Sequence, residues 1–287
     1  MSMRRIIPWV LACAVGAAGA AIVLTRGHSR ADLPSPANYP TLPAAFARAL
    51  QDARERAGAR GADPGEVRKL ALLYQANRLF PEARACYQIV KAGPEGLSAR
   101  DHYCLAAIAQ DESDMELAEK ELRATLLAEP GYAPARLALA QVLFKTGQSD
   151  GAKAEFEKVV RDDPQNPEAD LGLARIELQE GKDEEAMARL SRMVARHPES
   201  ASGAALLAQV LERKGKTAEA AAMVARSQQV HEAVPPDPWR KVLLADCYDL
   251  QTLELAFEEY RLAGQLDEAL PLLERIEELD PNGWIPP

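Results

Sequence analysis

Residues 133–166 read APARLALAQVLFKTGQSDGAKAEFEKVVRDDPQN, and the next 34 residues, 167–200, follow the same pattern as PEADLGLARIELQEGKDEEAMARLSRMVARHPES. Both stretches place a glycine at their fifteenth position and a proline at their thirty-second. On each side of the glycine, apolar residues recur at the three- and four-residue spacing of an amphipathic helix. Each stretch is therefore predicted to form two helices that are joined at the glycine and stopped by the proline.

The same period of 34 residues extends in both directions along the chain. Four sets of residues share this step: Ala106, Ala140, Ala174 and Ala208; Ala118, Ala152, Ala186 and Ala220; Gly147, Gly181 and Gly215; Pro130, Pro164 and Pro198. Small residues on both helices of a pair let the two backbones approach closely. A fixed period of this length is the pattern of a helical repeat array.

These residues resemble the tetratricopeptide repeat, in which a 34-residue unit carries small residues at its eighth and twentieth positions and a proline near its thirty-second. The resemblance implies an all-α, right-handed α-solenoid of about six helix hairpins. The predicted units are 64–98, 99–132, 133–166, 167–200, 201–234 and 250–283. In the last unit Phe257 stands where the small eighth residue is expected, which leaves the angle of that hairpin open.

Two stretches do not follow the repeat. Residues 43–60 are predicted to form an amphipathic helix that caps the first unit, because a solenoid otherwise exposes apolar surface at its ends. Residues 235–249 form an insertion of 15 residues that begins Pro-Pro-Asp-Pro-Trp. It is either a longer linker whose Trp239 packs over helix ends, or a loop that enters the groove of the solenoid and competes with ligands.

The N-terminus has the pattern of an export segment. Residues 1–5 include two arginines, and residues 6–25 contain no charge over 20 residues, enough for a helix to cross a bilayer. A transmembrane anchor is predicted there, with a cleaved signal ending at Ala18-Gly19-Ala20 or a lipoprotein signal ending at Cys13 as alternatives. Residues 26–42 are rich in proline and are predicted to form a stem between the membrane and the repeats.

The composition argues against several classes of function. The formal net charge of −9 gives no basic surface for nucleic acid. The sequence holds no phosphate-binding loop, nucleophile elbow or zinc-protease motif, so the protein is predicted not to be an enzyme and to need no cofactor. The cysteines and histidines lack metal-ligand spacing, so no metal site is expected. Cys86 and Cys104 fall on helices predicted to be neighbours, and whether they pair is left open.

The resemblance implies that the first helices of successive units line a concave groove for a protein or peptide partner. The positions that face the groove in this family select Tyr103, Gln110, Leu137, Gln141, Phe144, Lys145, Arg175, Gln179, Gln209, Glu212 and Arg213. The expected function is a scaffold for complex assembly in the cell envelope, anchored by one helix in the inner membrane with the repeats on the periplasmic or extracellular side. A structural spacer that forms homo-oligomers and an accessory subunit of an envelope enzyme are the alternatives.

Overall fold

The computed structural model describes residues 33–59, 63–281 and 283. The described residues form fourteen α-helices and one short 3-10 helix, and they contain no β-strand. The expected all-α class is therefore confirmed. Backbone contacts divide the chain into two compact units, residues 1–97 and residues 98–287, and each is described by itself.

The first unit contains three α-helices after a 3-10 turn. The turn is Tyr39–Thr41, and the helices are α1 (Ala44–Ala57), α2 (Pro64–Ala76) and α3 (Phe80–Ala92). Helix α1 packs on α2, and α2 forms an antiparallel hairpin with α3. The core of this unit includes Leu50, Leu70, Tyr74 and Tyr87, which are fully buried.

The described part of the proline-rich stem packs on this unit. Leu33 and Pro36 are buried. The carbonyl oxygen of Pro34 accepts a hydrogen bond of 2.6 Å from the hydroxyl of Tyr74 and a second bond from the guanidinium of Arg54. Because a buried tyrosine hydroxyl needs a partner, these bonds fix the stem against α1 and α2.

The second unit begins with four consecutive hairpins. Their helices are α4 (Ala99–Asp111), α5 (Met115–Ala128), α6 (Ala133–Lys145), α7 (Ser149–Asp162), α8 (Pro167–Gln179), α9 (Asp183–Arg196), α10 (Ala201–Arg213) and α11 (Thr217–Gln229). Each hairpin packs along its length on the next one. We call helices α4–α11 the stack.

Small residues allow the close packing that the sequence predicts. The alanines at the eighth and twentieth positions of the stack, from Ala106 to Ala220, are all buried. A close approach is at Gly172 in α8, where an added Cβ would lie 2.3 Å from the ring of Phe156 in α7. Since Phe156 is itself buried at 2% exposure, neither side of this contact has room to move.

The turn inside each hairpin requires a left-handed residue. Gly147, Gly181 and Gly215 have φ between 74° and 77°, which confirms the role predicted for the repeated glycines. The corresponding turn between α4 and α5 uses Ser113 at φ 62° instead of glycine. A side chain in this region costs roughly 1–2 kcal/mol, so this turn carries strain that its neighbours avoid.

A pair of polar or charged side chains recurs inside three of the four hairpins, always between residues 19 apart. His102 Nδ1 lies 2.6 Å from a Glu121 oxygen in the first, and Arg136 lies 3.0 Å from Glu155 in the second. In the third hairpin the polarity is reversed, with Asp170 on the first helix and Arg189 on the second at 2.9 Å. These pairs link the two helices of each hairpin at the same height.

The stack is followed by three more helices: α12 (Pro238–Ala245), α13 (Leu250–Leu262) and α14 (Leu266–Leu279). Helices α13 and α14 form an antiparallel hairpin, which we call the terminal hairpin, and α12 lies within the inserted residues 235–249. Phe257 is buried in α13. In the part of the chain that the structure describes, none of the helices has both the length and the apolarity needed to cross a membrane. The anchor predicted over residues 6–25 lies outside that part.

Candidate peptide-binding site

The residues selected as groove positions all lie on the first helices of the four hairpins of the stack. They are distributed as Tyr103 and Gln110 on α4, Leu137, Gln141, Phe144 and Lys145 on α6, Arg175 and Gln179 on α8, and Gln209, Glu212 and Arg213 on α10. Helix α8 contacts both α6 and α10 directly, so the first helices of these hairpins are neighbours.

Their exposure divides them into two groups. Leu137 is buried, and Tyr103 and Phe144 pack on the apolar core of the stack. The cationic and most of the amide side chains are exposed or half-buried. We call the residues in the C-terminal halves of the first helices the open row: Gln110, Gln141, Phe144, Lys145, Arg175, Gln179, Gln209, Glu212 and Arg213.

The N-terminal halves of the same helices contact a segment of the protein's own chain. Residues 230–237 have no regular secondary structure, and the backbone is extended at both Val230 and Asp237. Together with Pro238 and Trp239 they form what we call the docked segment, residues 230–239. It contacts residues that belong to several different hairpins of the stack, as described next.

The first contact is at the beginning of α10. One carboxylate oxygen of Glu232 accepts a hydrogen bond of 2.9 Å from the hydroxyl of Ser200, and the other accepts one from the hydroxyl of Ser202. Ser200 also caps α10 through the backbone N–H of Gly203. The carboxylate therefore lies beside a helix N-terminus, where negative charge is favoured.

The second contact is with the terminal hairpin. The side-chain amide of Gln265 accepts a bond of 2.7 Å from the backbone N–H of Val234 and donates one of 3.1 Å to its carbonyl oxygen. Val234 is buried, so both of its main-chain polar groups need such partners. One glutamine thus joins the docked segment to the beginning of α14.

The third contact is a carboxylate held by two tyrosines. The hydroxyl of Tyr103 donates to Oδ2 of Asp237 at 2.7 Å, and the hydroxyl of Tyr132 donates to Oδ1 at 2.5 Å. Burial, and after it the charge of Asp237, raises the pKa of Tyr103. Burial and the hydrogen bond to Asp237 likewise raise the pKa of Tyr132. Both phenols therefore stay protonated at neutral pH and act as donors to a charged acceptor.

The fourth contact is aromatic. The indole of Trp239 stacks on Tyr132, with ring centroids 3.6 Å apart and an angle of 21° between the planes. Tyr103 meets both rings edge-on, at 5.2 Å from Tyr132 and 5.3 Å from Trp239. The half-buried Trp239 also packs on the apolar core of the stack. Aromatic pairs of this kind add to the free energy gained from burial alone.

These contacts bear on both alternatives for the insertion, the linker with Trp239 packed over helix ends and the loop that enters the groove. Trp239 packs at the beginning of α6, since Tyr132 is the residue before that helix, and Asp237 reaches Tyr103, one of the residues predicted to line the groove. We define the docking row as Tyr103, Tyr132, Ser200 and Ser202. On helix α8, burial, and after it the charge of Glu232, raises the pKa of Glu168, whereas Arg175 lowers it.

Several residues of this site were not predicted from the sequence, among them Tyr132, Ser200, Ser202, Glu232 and Asp237. Ser202 stands at the second position of its unit, a position that faces the groove in the family. The Pro-Pro-Asp-Pro-Trp run marked the insertion as unusual. Nothing local, however, connects Asp237 to a tyrosine that lies 134 residues earlier in the chain.

Three further features of the described residues bear on chemistry: metal-ligating groups, cysteines and a cavity. No group of three or more histidine, cysteine, aspartate or glutamate residues among them could hold a metal ion. Cys86, Cys104 and Cys247 are buried as thiols. A cavity of about 250 Å³ lies between α12 and the terminal hairpin, lined mainly by apolar atoms of Leu244, Tyr260 and Leu272, with Lys241, Glu268 and Arg275 around them.

The comparisons with known proteins bear on the fold. The tetratricopeptide repeat model matches residues 109–162 and 147–210. The structure is similar to PilF of Pseudomonas aeruginosa, with a TM-score of 0.50, 16% identity, and coverage of 82% of this chain and 95% of that one. MamA from Desulfovibrio magneticus RS-1 gives a TM-score of 0.52 at 19% identity, over 58% of this chain and 94% of that one. No curated protein matches the sequence. The matched repeats and these similar structures support a tetratricopeptide-repeat fold for this chain.

Proposed function

We propose that this protein is a non-enzymatic interaction scaffold that binds an extended segment of a partner protein along the open row. The observation that carries the proposal is the set of exposed cationic side chains that three successive first helices, α6, α8 and α10, present there. Lys145, Arg175 and Arg213 are exposed and form no ion pair with any described residue. A surface of this kind is suited to side-chain and main-chain contacts with an extended peptide.

The charge of the open row indicates what the partner segment carries. Its three cations and the single carboxylate of Glu212 give a local net charge of +2, whereas the whole chain has a formal net charge of −9. Such a contrast attracts an acidic segment to this face and repels it from the rest of the surface. The half-buried Phe144 supplies an apolar anchor beside Lys145. The proposed ligand is therefore an extended, acidic segment with at least one apolar side chain.

The envelope location is part of the proposal. Residues 6–25 would hold the protein in the inner membrane, with the repeats on the periplasmic or extracellular side. Resistance of the full chain to alkaline extraction from membranes, together with protease access to the repeats only from the outer side, is the expected result. Recovery of the protein in a soluble cytoplasmic fraction would contradict it.

The binding surface can be tested by site-specific cross-linking. A photo-reactive amino acid at Arg175 in the full chain should capture a distinct partner protein. Glu157 on α7 is a suitable control position because it is exposed and lies on a second helix. Glu184 is a poorer control, since it pairs at 2.8 Å with Lys214, next to Arg213 of the open row. The same products from Arg175 and Glu157 would refute binding at the open row.

Charge reversal gives an independent test of the proposed ligand chemistry. The variant Lys145→Glu/Arg175→Glu/Arg213→Glu should lose capture of the partner while keeping its helical content. A matched control reverses three exposed cations on second helices, Lys120→Glu/Arg161→Glu/Arg192→Glu, and changes the net charge by the same amount. If both triple variants bind the partner equally, the open row is not the binding surface.

A second candidate function is self-association as a structural spacer, and one observation favours it. Leu255 and Leu262 on α13 and Leu266 and Leu270 on α14 are exposed on the terminal hairpin. Grouped apolar side chains on a surface often mark an interface. Concentration-dependent sedimentation that is lost in Leu255→Ser/Leu262→Ser would support this function over the first.

A further inference from the structure

We propose that the docking row is a second peptide-binding site, specific for an extended segment that carries a carboxylate two residues before an aromatic side chain. The docked segment is its resident occupant, and a partner segment with the same chemistry must displace it. This inference deepens the proposed function, because it names a further surface on the same first helices and the kind of partner that fits it.

The specificity comes from two side chains whose positions are fixed by the stack. The hydroxyls of Tyr103 and Tyr132 converge on a single carboxylate, one on each oxygen. Because neutral donors hold the charge, the site selects a carboxylate without a counter-charge that would also attract phosphate or nucleic acid. Removing the carboxylate would leave two part-buried hydroxyls without their acceptor, which is unfavourable.

The aromatic part of the site is a slot beside the carboxylate. Tyr132 forms one wall by stacking, Tyr103 forms another with its edge, and the apolar core of the stack forms the floor. An indole fills it in the docked segment. Tyr132 contacts both the carboxylate of Asp237 and the ring of Trp239. The carboxylate and the aromatic ring must therefore lie close together in any ligand of this site.

The backbone of the docked segment shows what conformation the site accepts. Pro235, Pro236 and Pro238 favour the extended or polyproline conformation and limit the alternatives of the free chain. Glu232 adds a second carboxylate contact at Ser200 and Ser202. An extended, proline-containing segment therefore reaches the site with little conformational entropy to lose.

Half of the residues of the docked segment are exposed to solvent, which lets a partner segment compete for its contacts. His231, Ala233, Pro235, Pro236 and Pro238 are exposed, and Val234 is the one buried residue of residues 230–239. The segment is tethered, however, so its effective concentration at the docking row is on the order of millimolar. If the segment and a free peptide of the same sequence each bind the empty docking row with a dissociation constant of ~10 μM, the free peptide would bind the native protein roughly 100-fold more weakly than the empty row.

The test uses a fluorescently labelled synthetic peptide with the sequence of residues 230–241. The full chain, purified in mild detergent, is compared with the variant Asp237→Asn/Trp239→Ala. Asn is chosen because Asp237 also caps α12 by accepting from the backbone N–H groups of Trp239 and Arg240, and asparagine is an equally good cap. Fluorescence anisotropy should show at least tenfold tighter peptide binding to the variant than to the native chain.

Three further measurements make the result specific. Adding Tyr103→Phe/Tyr132→Phe to the variant should weaken peptide binding at least tenfold, and a peptide carrying Asp237→Ala and Trp239→Ala should not bind. If the double variant loses its helical content, Trp239→Ala alone serves, since it keeps the carboxylate and the cap. Binding of the peptide to the native chain as tightly as to the variant, or no effect of the two phenylalanines, would overturn the proposal.

One other occupant is separated by the same experiment. If the native chain dimerises and Asp237→Asn/Trp239→Ala abolishes the dimer, the docking row holds the segment of a second copy and the proposal is overturned. The proposed function fails or stands independently, because it is tested by cross-linking from Arg175 in the open row. Loss of partner capture from Arg175, together with intact peptide binding at the docking row, would leave the docking row as the binding surface.

Discussion

The stack and the region that follows it are held together in different ways. In helices α4–α11, hairpins join through long helix–helix contacts lined by buried alanines and by Gly172 against Phe156. After α11, the terminal hairpin is connected through the docked segment, which relies on Glu232, Val234, Asp237 and Trp239. Stability of a repeat array comes from interfaces between neighbours. The helix–helix contacts of the stack therefore form a permanent surface, whereas the docked segment occupies part of that surface and can be exchanged.

The largest expected effect comes from breaking the stack at the close contact between Phe156 and Gly172. Phe156→Ala removes a buried ring and leaves a cavity, so it should lower the free energy of unfolding of the stack by about 3–5 kcal/mol. Trp239→Ala also truncates an aromatic residue, but a half-buried one outside the stack, and should cost clearly less. Urea unfolding followed by circular dichroism measures both. Equal losses would mean that the docked segment is as integral to the fold as the stack.

The next effect concerns the ion pairs inside the hairpins. Asp170→Ala leaves Arg196 without its carboxylate partner and Arg189 with Glu177 alone, and should destabilise the stack by about 1–3 kcal/mol. Asp170→Arg/Arg189→Glu copies the orientation of Arg136 and Glu155 in the preceding hairpin. It also places an arginine beside Arg196 and a glutamate beside Glu177, so it should be less stable than Asp170→Ala in the same unfolding experiment. A double variant as stable as the native chain would show that the polarity of this pair is interchangeable between hairpins.

A smaller effect of opposite sign is expected in the turn between α4 and α5. Ser113→Gly relieves a left-handed backbone and should stabilise the stack by about 0.5–1 kcal/mol, after the extra entropy of glycine in the unfolded chain is subtracted. Gly147→Ala, which places a side chain in the equivalent turn, should destabilise it by a similar or larger amount. Thermal unfolding of the pair checks both signs, and a destabilised Ser113→Gly would contradict the strain argument.

The smallest effect concerns how the docking of residues 230–239 depends on pH. The pKa of Glu168 is raised above its ordinary value of 4.5, so the docked state binds protons more readily than the released state. Docking is therefore favoured at acid pH and weakens as pH rises above that ordinary value. Glu168→Gln should strengthen docking at pH 7 by less than about 1 kcal/mol and flatten this dependence.

Hydrogen exchange of residues 230–239, corrected for intrinsic rates, measures the effect of Glu168→Gln. Arg175→Gln is the opposing control, because the guanidinium of Arg175 lowers the pKa of Glu168 and its loss should make docking more sensitive to pH. An unchanged pH profile in Glu168→Gln would assign the dependence to another group.

The sequence predicts the parts of this molecule that repeat. The step of 34 residues locates the helices of the stack, and the glycines at 147, 181 and 215 mark turns that the structure confirms as left-handed. The same rule misses Ser113 and Arg78, which adopt φ of 62° and 59° in equivalent turns without being glycine. A conformation imposed by two packed helices does not require the residue type that favours it.

The docking row was harder to predict because its contacts connect distant parts of the chain. Tyr132 and Asp237 are separated by 105 residues, and their meeting depends on how several hairpins add up. The period identifies Tyr103 as a residue of the first-helix face but contains nothing about residues 230–239, which lie where the repeat ends. The partner-facing role of the open row stays a prediction, and the anchor predicted over residues 6–25 lies outside the described residues.

The contacts of Asp237 couple release of the docked segment to helix α12. Its Oδ1 accepts from Tyr132 and also from the two backbone N–H groups that begin α12, a helix that borders the cavity next to the terminal hairpin. One oxygen atom thus belongs to the stack and to the C-terminal helices at once. Occupation of the docking row by a partner is therefore thermodynamically linked to the stability of α12. By reciprocity, whatever stabilises one arrangement of α12 alters the affinity of the docking row at Tyr103 and Tyr132, more than a hundred residues earlier in the chain.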